Sequence, residues 1–375
     1  MKSRKSHTKS RSGCNRCKQR RIKCDERRPD CATCLRRGLI CVYEQQPRPV
    51  TPRPDVPAVP DPVTLPNRRT DLKLLHHFTV CTWETCGPAG EANRDLWQRQ
   101  IPALAVEHDA LLNALLSFSS LHMAHLGTDE ADYYVELSRE YRQRAVVEMS
   151  RALRRMPRRQ TEATFWASVF IGLISLAGHH LPNDQKTSAL SLAVELSSLW
   201  RGSGAITTLQ PPCEDRPATT TWTKSALKHD GTCFTDLKER DPDLAENLSR
   251  LRACIISPSE RPNSNLHEQV YLDALDHLAE AMAAVDGRRS ASLTLSWLPC
   301  INSQVVHQMQ AKEPVACSLG MFYGLQLQKL RHLWYIQDLG CQLVQELNAS
   351  IPLTDVHMVL LANWVRERIC RSEGS

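Results

Sequence analysis

The chain has no apolar run long enough to span a bilayer. The longest, Phe165 to Gly178, is broken by Ser168 and Ser175 and falls short of the ~20 residues that a membrane helix needs. The first dozen residues, Met1 to Ser12, are polar and basic and lack the apolar stretch of a secretory signal. Both absences lead us to expect a soluble, intracellular protein, in a compartment where thiols stay reduced. Alternating strand patterns are scarce. No G-x-S-x-G elbow, P-loop, G-x-G-x-x-G or H-E-x-x-H occurs, so nothing argues for catalysis and a non-enzyme is expected.

What the chain does have is unevenly spread. Its 375 residues allow a small domain plus a larger one, and carry 15 cysteines and a net charge of +6. Residues 1–44 hold 14 Lys and Arg against 4 Asp and Glu, whereas the other 331 residues hold 33 against 37. A basic head on a mildly acidic body suggests that the head meets a polyanion. Six cysteines crowd into positions 14–41, and the other nine scatter from Cys81 to Cys370. In a reducing compartment the first six read as metal ligands and the rest as small buried residues.

The spacing is Cys14-x2-Cys17-x6-Cys24-x6-Cys31-x2-Cys34-x6-Cys41, the unit C-x2-C-x6-C written twice. Zinc takes four sulfur ligands in a tetrahedron, so two zinc ions need eight bonds. Six cysteines supply eight if two of them bridge, and the internal symmetry points to the first of each unit, Cys14 and Cys31. A module this small buries too little to fold without its metal. Metal binding alone leaves the bases unexplained. Between Cys17 and Cys24 runs KQRRIK, with Ile22 its one apolar residue. On a short helix Lys18, Arg20, Arg21 and Lys23 would cover most of the exposed surface, and arginine suits guanine O6 and N7. Metal storage needs no such stretch. RNA binding lacks its usual aromatic stacking residues beside the patch.

Residues 13–43, GCNRCKQRRIKCDERRPDCATCLRRGLICVY, resemble the Zn2Cys6 binuclear-cluster domain of fungal transcription factors. The cysteine pattern matches throughout, and Pro29 matches the family's inter-repeat loop. The resemblance implies two Zn2+ ions, bridging by Cys14 and Cys31, a nuclear location and double-stranded DNA as partner. It implies that the first helix enters the major groove at a CGG-like triplet, with Arg21 at the main base-reading position and Arg20 beside it. Lys18 and Lys23 are then expected on phosphates, and Arg36 and Arg37 of the second repeat as a backbone clamp. The basic run MKSRKSHTKSR at the start reads as a tail for nuclear import and extra phosphate contact.

Residues 45–70 hold eight prolines and read as a semi-extended linker. A coiled coil cannot form there, so the head is expected to bind DNA as a monomer or to dimerise only through the body. From Asp71 to Ser375 the pattern is helical. Helices are predicted over Asp71–Thr85, Ala103–Leu126, Asp129–Met156, Thr161–Gly178, Ser188–Trp200, Leu266–Val285 and Thr354–Cys370, with two more between Pro314 and Asn348. Residues 207–263 are expected to be loops around one short helix, Asp243–Ile255. The stretches LLHHFTVCTWETC at 74–86, LWQRQIPALAVEHDALLNALLSFSSLHMAHL at 96–126, ELSSLWRGSGAI at 195–206 and LRHLWYIQDLGCQLVQEL at 330–347 resemble the regulatory domain of sterol-uptake-control-like Zn2Cys6 regulators. That resemblance implies an all-α regulatory domain. It also implies a small apolar ligand or a co-regulator as partner, and the activation of a biosynthetic gene set such as a secondary-metabolite cluster. His76, His77, His122, His125, His179 and His180, and Trp83, Trp97, Trp166, Trp297 and Trp334, are read as parts of a mixed core.

Overall fold

The structure is a computed structural model. It describes residues 12–27, 31–37, 39, 41, 43, 68–86, 94–127, 129–155, 161–181, 187–208, 233–256, 268–284, 287–351 and 355–373. The basic tail, the proline-rich linker up to 67, Pro29, and 209–232 and 257–267 of the weakly patterned stretch lie outside the described residues. The chain divides into two units, Met1–Thr64 and Leu65–Ser375.

The first unit holds two short helices, α1 (Asn15–Gln19) and α2 (Ala32–Leu35). Its buried hydrophobic side chains, among the described residues, are Cys14, Cys17, Cys24, Cys31 and Cys34. Leu39, Cys41 and Tyr43 pack against them. Among the described residues this unit has no aliphatic core.

The second unit is helical, and among its described residues there is no strand. Its helices are α3 (Arg68–Val80), α4 (Ile101–Val106), α5 (Asp109–His125), α6 (Ala131–Arg155), α7 (Thr161–Gly178), α8 (Ala189–Thr208), α9 (Cys233–Arg240), α10 (Pro242–Ile256), α11 (Glu268–Ala283), α12 (Gly287–Cys300), α13 (Ser303–Gln310), α14 (Pro314–Gln328), α15 (Leu339–Asn348) and α16 (Val356–Glu373). The core runs through α5, α7 and α14, which are apolar nearly all round and bury most of their side chains. Phe78, Trp97, Phe118, Trp166 and Phe170 meet edge to face, with ring centroids 5.3 to 6.0 Å apart. The tryptophans act as core anchors: Trp97, Trp166, Trp297 and Trp334 are buried and Trp83 is half-buried. On α6 the predicted stripe Tyr134, Leu137, Tyr141 and Ala145 is buried.

Several boundaries differ from expectation, each for a local reason. α3 buries Leu74 and Phe78, while Leu72 and Val80 are exposed. Polar contacts set its face: the Tyr141 hydroxyl donates to Asp71, and Lys73 Nζ donates to the Tyr134 hydroxyl at 2.5 Å. The single helix expected over Ala103–Leu126 is two, because His108 takes an extended backbone (φ −138°, ψ 105°). α8 continues through Gly202 to Thr208; a Cβ there would meet nothing, so this glycine is only a missing side chain. Asp355 accepts from Met358 N at 3.1 Å and takes the capping role expected of Thr354, which lies outside the described residues. Helices α9, α12 and α13 carried no sequence signal that was read. Two glycines are required by contact: at Gly340 a Cβ would lie 2.4 Å from Gly324 O, and at Gly172 2.2 Å from Trp200 Nε1.

Candidate metal centre and nucleic-acid interface

Cys14 has extended backbone before α1, and its Sγ accepts from Cys17 N at 3.5 Å. Cys31 does the same before α2, accepting from Cys34 N at 3.3 Å. Each first cysteine is therefore the N-cap of its helix, and the C-x2-C spacing sets the second thiol in the first turn. The third thiol returns to the start of its unit: Cys14 N donates to Cys24 Sγ at 3.5 Å, and Cys31 N to Cys41 Sγ at 3.4 Å. The repeat in the sequence is thus a repeat in hydrogen bonding.

Two groups of four sulfurs result, Cys14, Cys17, Cys24 and Cys31, and Cys14, Cys31, Cys34 and Cys41. Within each, all ligand atoms lie within 4.8 Å of one another. The Sγ separations are 3.8 Å for Cys14–Cys31, 3.7 Å for Cys17–Cys31 and 3.7 Å for Cys14–Cys34. Four sulfurs about 2.3 Å from a zinc ion form a tetrahedron with edges of about 3.8 Å. The donor set therefore fits two zinc ions, with Cys14 and Cys31 common to both groups. Without a cation the thiols hold their protons unequally. Burial opposes ionisation throughout, but the Cys17 amide and neighbouring thiols draw Cys14 down to about 6. Burial and the Cys14 sulfur push Cys17 up, and burial and the Cys31 sulfur push Cys34 up to about 12. Such a cluster lacks positive charge, which bound dications supply.

The expected contact residues are all exposed, but fewer are helical than their spacing suggested. α1 ends at Gln19, so only Lys18 of the four lies on it. Arg20 is the C-cap, Arg21 has a positive φ of 52°, and Lys23 follows beyond the turn. The turn after the helix closes with Arg21 N donating to Lys18 O at 3.2 Å and Ile22 N to Cys17 O at 3.1 Å. Arg36 and Arg37 likewise fall just past α2, and Arg36 Nε donates to Ala32 O at 3.4 Å. Arg16, inside the first C-x2-C, is a further exposed cation on α1, beyond those expected from the sequence. Two supports also lie beyond those expectations. Asp25 accepts from Ala32 N at 3.0 Å, which ties the first repeat to α2, and the Tyr43 hydroxyl donates to Arg27 O at 2.8 Å.

In the helical unit the histidines do not gather around a common centre; among the described residues only the cysteines form a metal-like group. His122 Nδ1 lies 3.1 Å from His77 Nε2 and 2.9 Å from Thr82 Oγ1, and its ring stacks on Trp334. Burial, with His77 and His125 nearby, lowers its pKa to about 4. His179 Nε2 meets Gln342 Oε1 at 2.8 Å, and His180 Nδ1 lies 3.3 Å from Asp338. His76 is exposed. Two clefts of about 340 and 300 Å³ share Glu107, and their walls also carry Asp109, Glu148 and Glu162. The wall of the second is otherwise mostly apolar, with Leu96, Ile101, Ala103, Leu104 and Trp166.

Comparison with known proteins agrees with this division. Residues 12–49 match the fungal Zn(2)-Cys(6) binuclear cluster domain, which binds two zinc ions, and residues 73–216 match the fungal specific transcription factor domain. A Zn(2)-C6 fungal-type transcription factor of Aspergillus fumigatus is 38% identical over 140 residues, 33% of this chain and 35% of the relative. Sterol uptake control protein 2 of Saccharomyces cerevisiae is 26% identical over 149 residues, 39% of this chain and 16% of the relative. The cercosporin biosynthesis regulatory protein of Cercospora beticola is 41% identical over 56 residues, 15% of this chain and 14% of the relative. The aligned stretches thus span about a third or less of each of these relatives.

Proposed function

We propose that this chain, which joins a fungal Zn(2)-Cys(6) cluster domain to a fungal specific transcription factor domain, is a nuclear DNA-binding regulator of transcription. The observation that carries this reading is the pair of four-sulfur groups sharing Cys14 and Cys31, with exposed bases along and just after α1. Two zinc ions fix the turn, and the turn sets out Lys18, Arg20, Arg21 and Lys23 as one cationic edge. Arg21, with Arg20 beside it, reads a CGG-like triplet in the major groove. Lys18 and Lys23 hold phosphates, and Arg36 and Arg37 clamp the backbone from the second repeat. The head, 1–44, acts through the proline-rich linker, 45–70, from the helical domain, 71–375. It binds as a monomer, or as a dimer formed through the helical domain.

The chemistry of the head does not name the genes. The cercosporin regulator among the relatives favours a biosynthetic gene set such as a secondary-metabolite cluster, and activation is the mode we propose. A small apolar ligand or a co-regulator is the partner we propose for the helical domain. The test is a titration of the zinc-loaded full chain with a duplex holding a CGG triplet and with a scrambled duplex, at several salt concentrations. Preference for the triplet, with a steep salt dependence common to both duplexes, supports the reading. Equal affinity for the two with zinc bound would overturn the triplet.

A further inference from the structure

The two repeats of the head are offset by 17 residues, and their turns close alike. Ile22 N donates to Cys17 O at 3.1 Å, and Leu39 N donates to Cys34 O at 3.1 Å. In the first repeat Arg21 N also donates to Lys18 O at 3.2 Å, which completes a Schellman turn after α1. Such a turn needs a left-handed residue just past the C-cap, and glycine adopts that conformation freely. At the corresponding position of the second repeat the sequence has Gly38. The first repeat has Arg21, and its φ is 52°. The same offset sets Lys18 against Leu35 and Lys23 against Ile40. The repeats agree in their cysteines and in the bond that closes each turn, and their sequences differ in the side chains carried there.

A left-handed cation also occurs in the helical domain. Lys312, with φ of 63°, follows α13, and its turn closes through Glu313 N to Gln308 O at 2.9 Å. Glu26 in the head and Gln337 are left-handed as well, with φ of 56° and 43°, so conformation alone does not mark Arg21. What marks it is strain at the one position of the head where the sister repeat has the strain-free residue, beside Lys18, Arg20 and Lys23. Strain that persists where a better residue is at hand is a sign of function.

We propose that Arg21 trades zinc retention for base discrimination: its backbone weakens the folded, metal-holding head, and the guanidinium it places there supplies the selectivity. This rests on the reading of the first repeat as the DNA-facing one. It makes Arg21 a residue under two opposed demands, which substitution can separate.

The experiment uses the zinc-loaded full chain, with Arg21→Gly, Arg21→Ala and Lys312→Gly. Zinc transfer to a colorimetric chelator reports the stability of the head, because metal binding and folding are one equilibrium there. Triplet against scrambled duplex reports discrimination. Relief of a left-handed non-glycine residue corresponds to a change of roughly 5- to 30-fold. Arg21→Gly should therefore hold zinc more tightly than wild type and than Arg21→Ala by about that factor. Both variants should lose discrimination by roughly 5- to 150-fold. Lys312→Gly should change neither readout. Equal zinc retention by Arg21→Gly and Arg21→Ala would overturn the strain, and retained discrimination in Arg21→Gly would overturn the role of the side chain. If the wild type itself does not prefer the triplet, the DNA reading fails, while the order of Gly and Ala in zinc retention still decides the strain.

Discussion

The head and the helical unit reach order by opposite routes. Among its described residues the head buries five cysteines and no aliphatic side chain to the same degree, and its sulfurs lie 3.7 to 3.8 Å apart. The helical unit buries a continuous set of leucines and aromatic rings from Leu74 to Ile369, in which cysteine is a minor component such as Cys317. In one unit, structure follows from the valence of a metal and the spacing of its ligands. In the other it follows from the summed packing of many side chains, none of which is indispensable. Substitutions should therefore act almost without graduation in the head and by degrees in the helical unit.

The largest expected effect is in the head. Cys14→Ser or Cys31→Ser removes a ligand common to both four-sulfur groups, so both zinc ions should be lost. Structural zinc contributes on the order of 10 kcal/mol in small modules, more than such a head can replace. Metal analysis of the purified variants checks this, together with circular dichroism. Zinc content should fall to near zero while the helical signal of the larger unit persists. Retention of one full equivalent in either variant would show that the cysteine is not shared. In the helical unit the counterpart is Trp166→Ala, which empties a fully buried site between Trp97 and Phe165. A loss of about 3–5 kcal/mol in denaturant unfolding is expected, with zinc content unchanged.

Protonation gives a third contrast. Burial, with His77 and His125 close by, depresses His122 to about 4 from the ordinary 6.5. The folded state thus binds a proton less readily than the unfolded chain. The contribution is fully present above about 6.5 and is lost as pH falls from there toward about 4, on the order of 3 kcal/mol at full extent. His122→Gln, followed by urea unfolding across that window, should flatten this part of the pH dependence; an unchanged slope would assign the effect elsewhere. Smaller still are the DNA contacts. Arg21→Ala should lose about 1–3 kcal/mol of discrimination at the triplet. Lys23→Ala should weaken all duplexes alike and lower the salt slope by about one phosphate contact. Exchange of those two outcomes in the binding titrations would reverse the roles of the residues.

The same contrast governs what could be read from the sequence. The two units of C-x2-C-x6-C determine which sulfurs can meet, because four ligands and a short tether leave few alternatives. The symmetric choice of Cys14 and Cys31 coincides with the two groups in the structure. The conformation of KQRRIK was harder to see. Its composition suggests a helix, but α1 ends at Gln19 and the chain turns back, with Ile22 N bonded to Cys17 O. In the helical unit the long periodic segments were legible: α7 has the predicted bounds Thr161–Gly178, and α6 differs from expectation by a few residues. The face that α3 buries has no local signature, because Asp71 and Lys73 are held by tyrosines some 60 to 70 positions away, which no local period records. The short helices α12 and α13 escaped because their order comes from burial of Trp297, Val305 and Met309 against other elements.

The most direct measurement is selection. Zinc-loaded full-length protein would be mixed with random-sequence duplex DNA at near-physiological salt, and the retained DNA sequenced. Enrichment of a CGG-like triplet is expected, as a single half-site or at loosely defined spacing, because residues 45–70 are too rich in proline for a coiled coil. A sharply spaced palindrome would contradict the monomeric head. No enrichment with zinc fully bound would contradict the central claim, that the metal-held turn around Arg21 reads sequence.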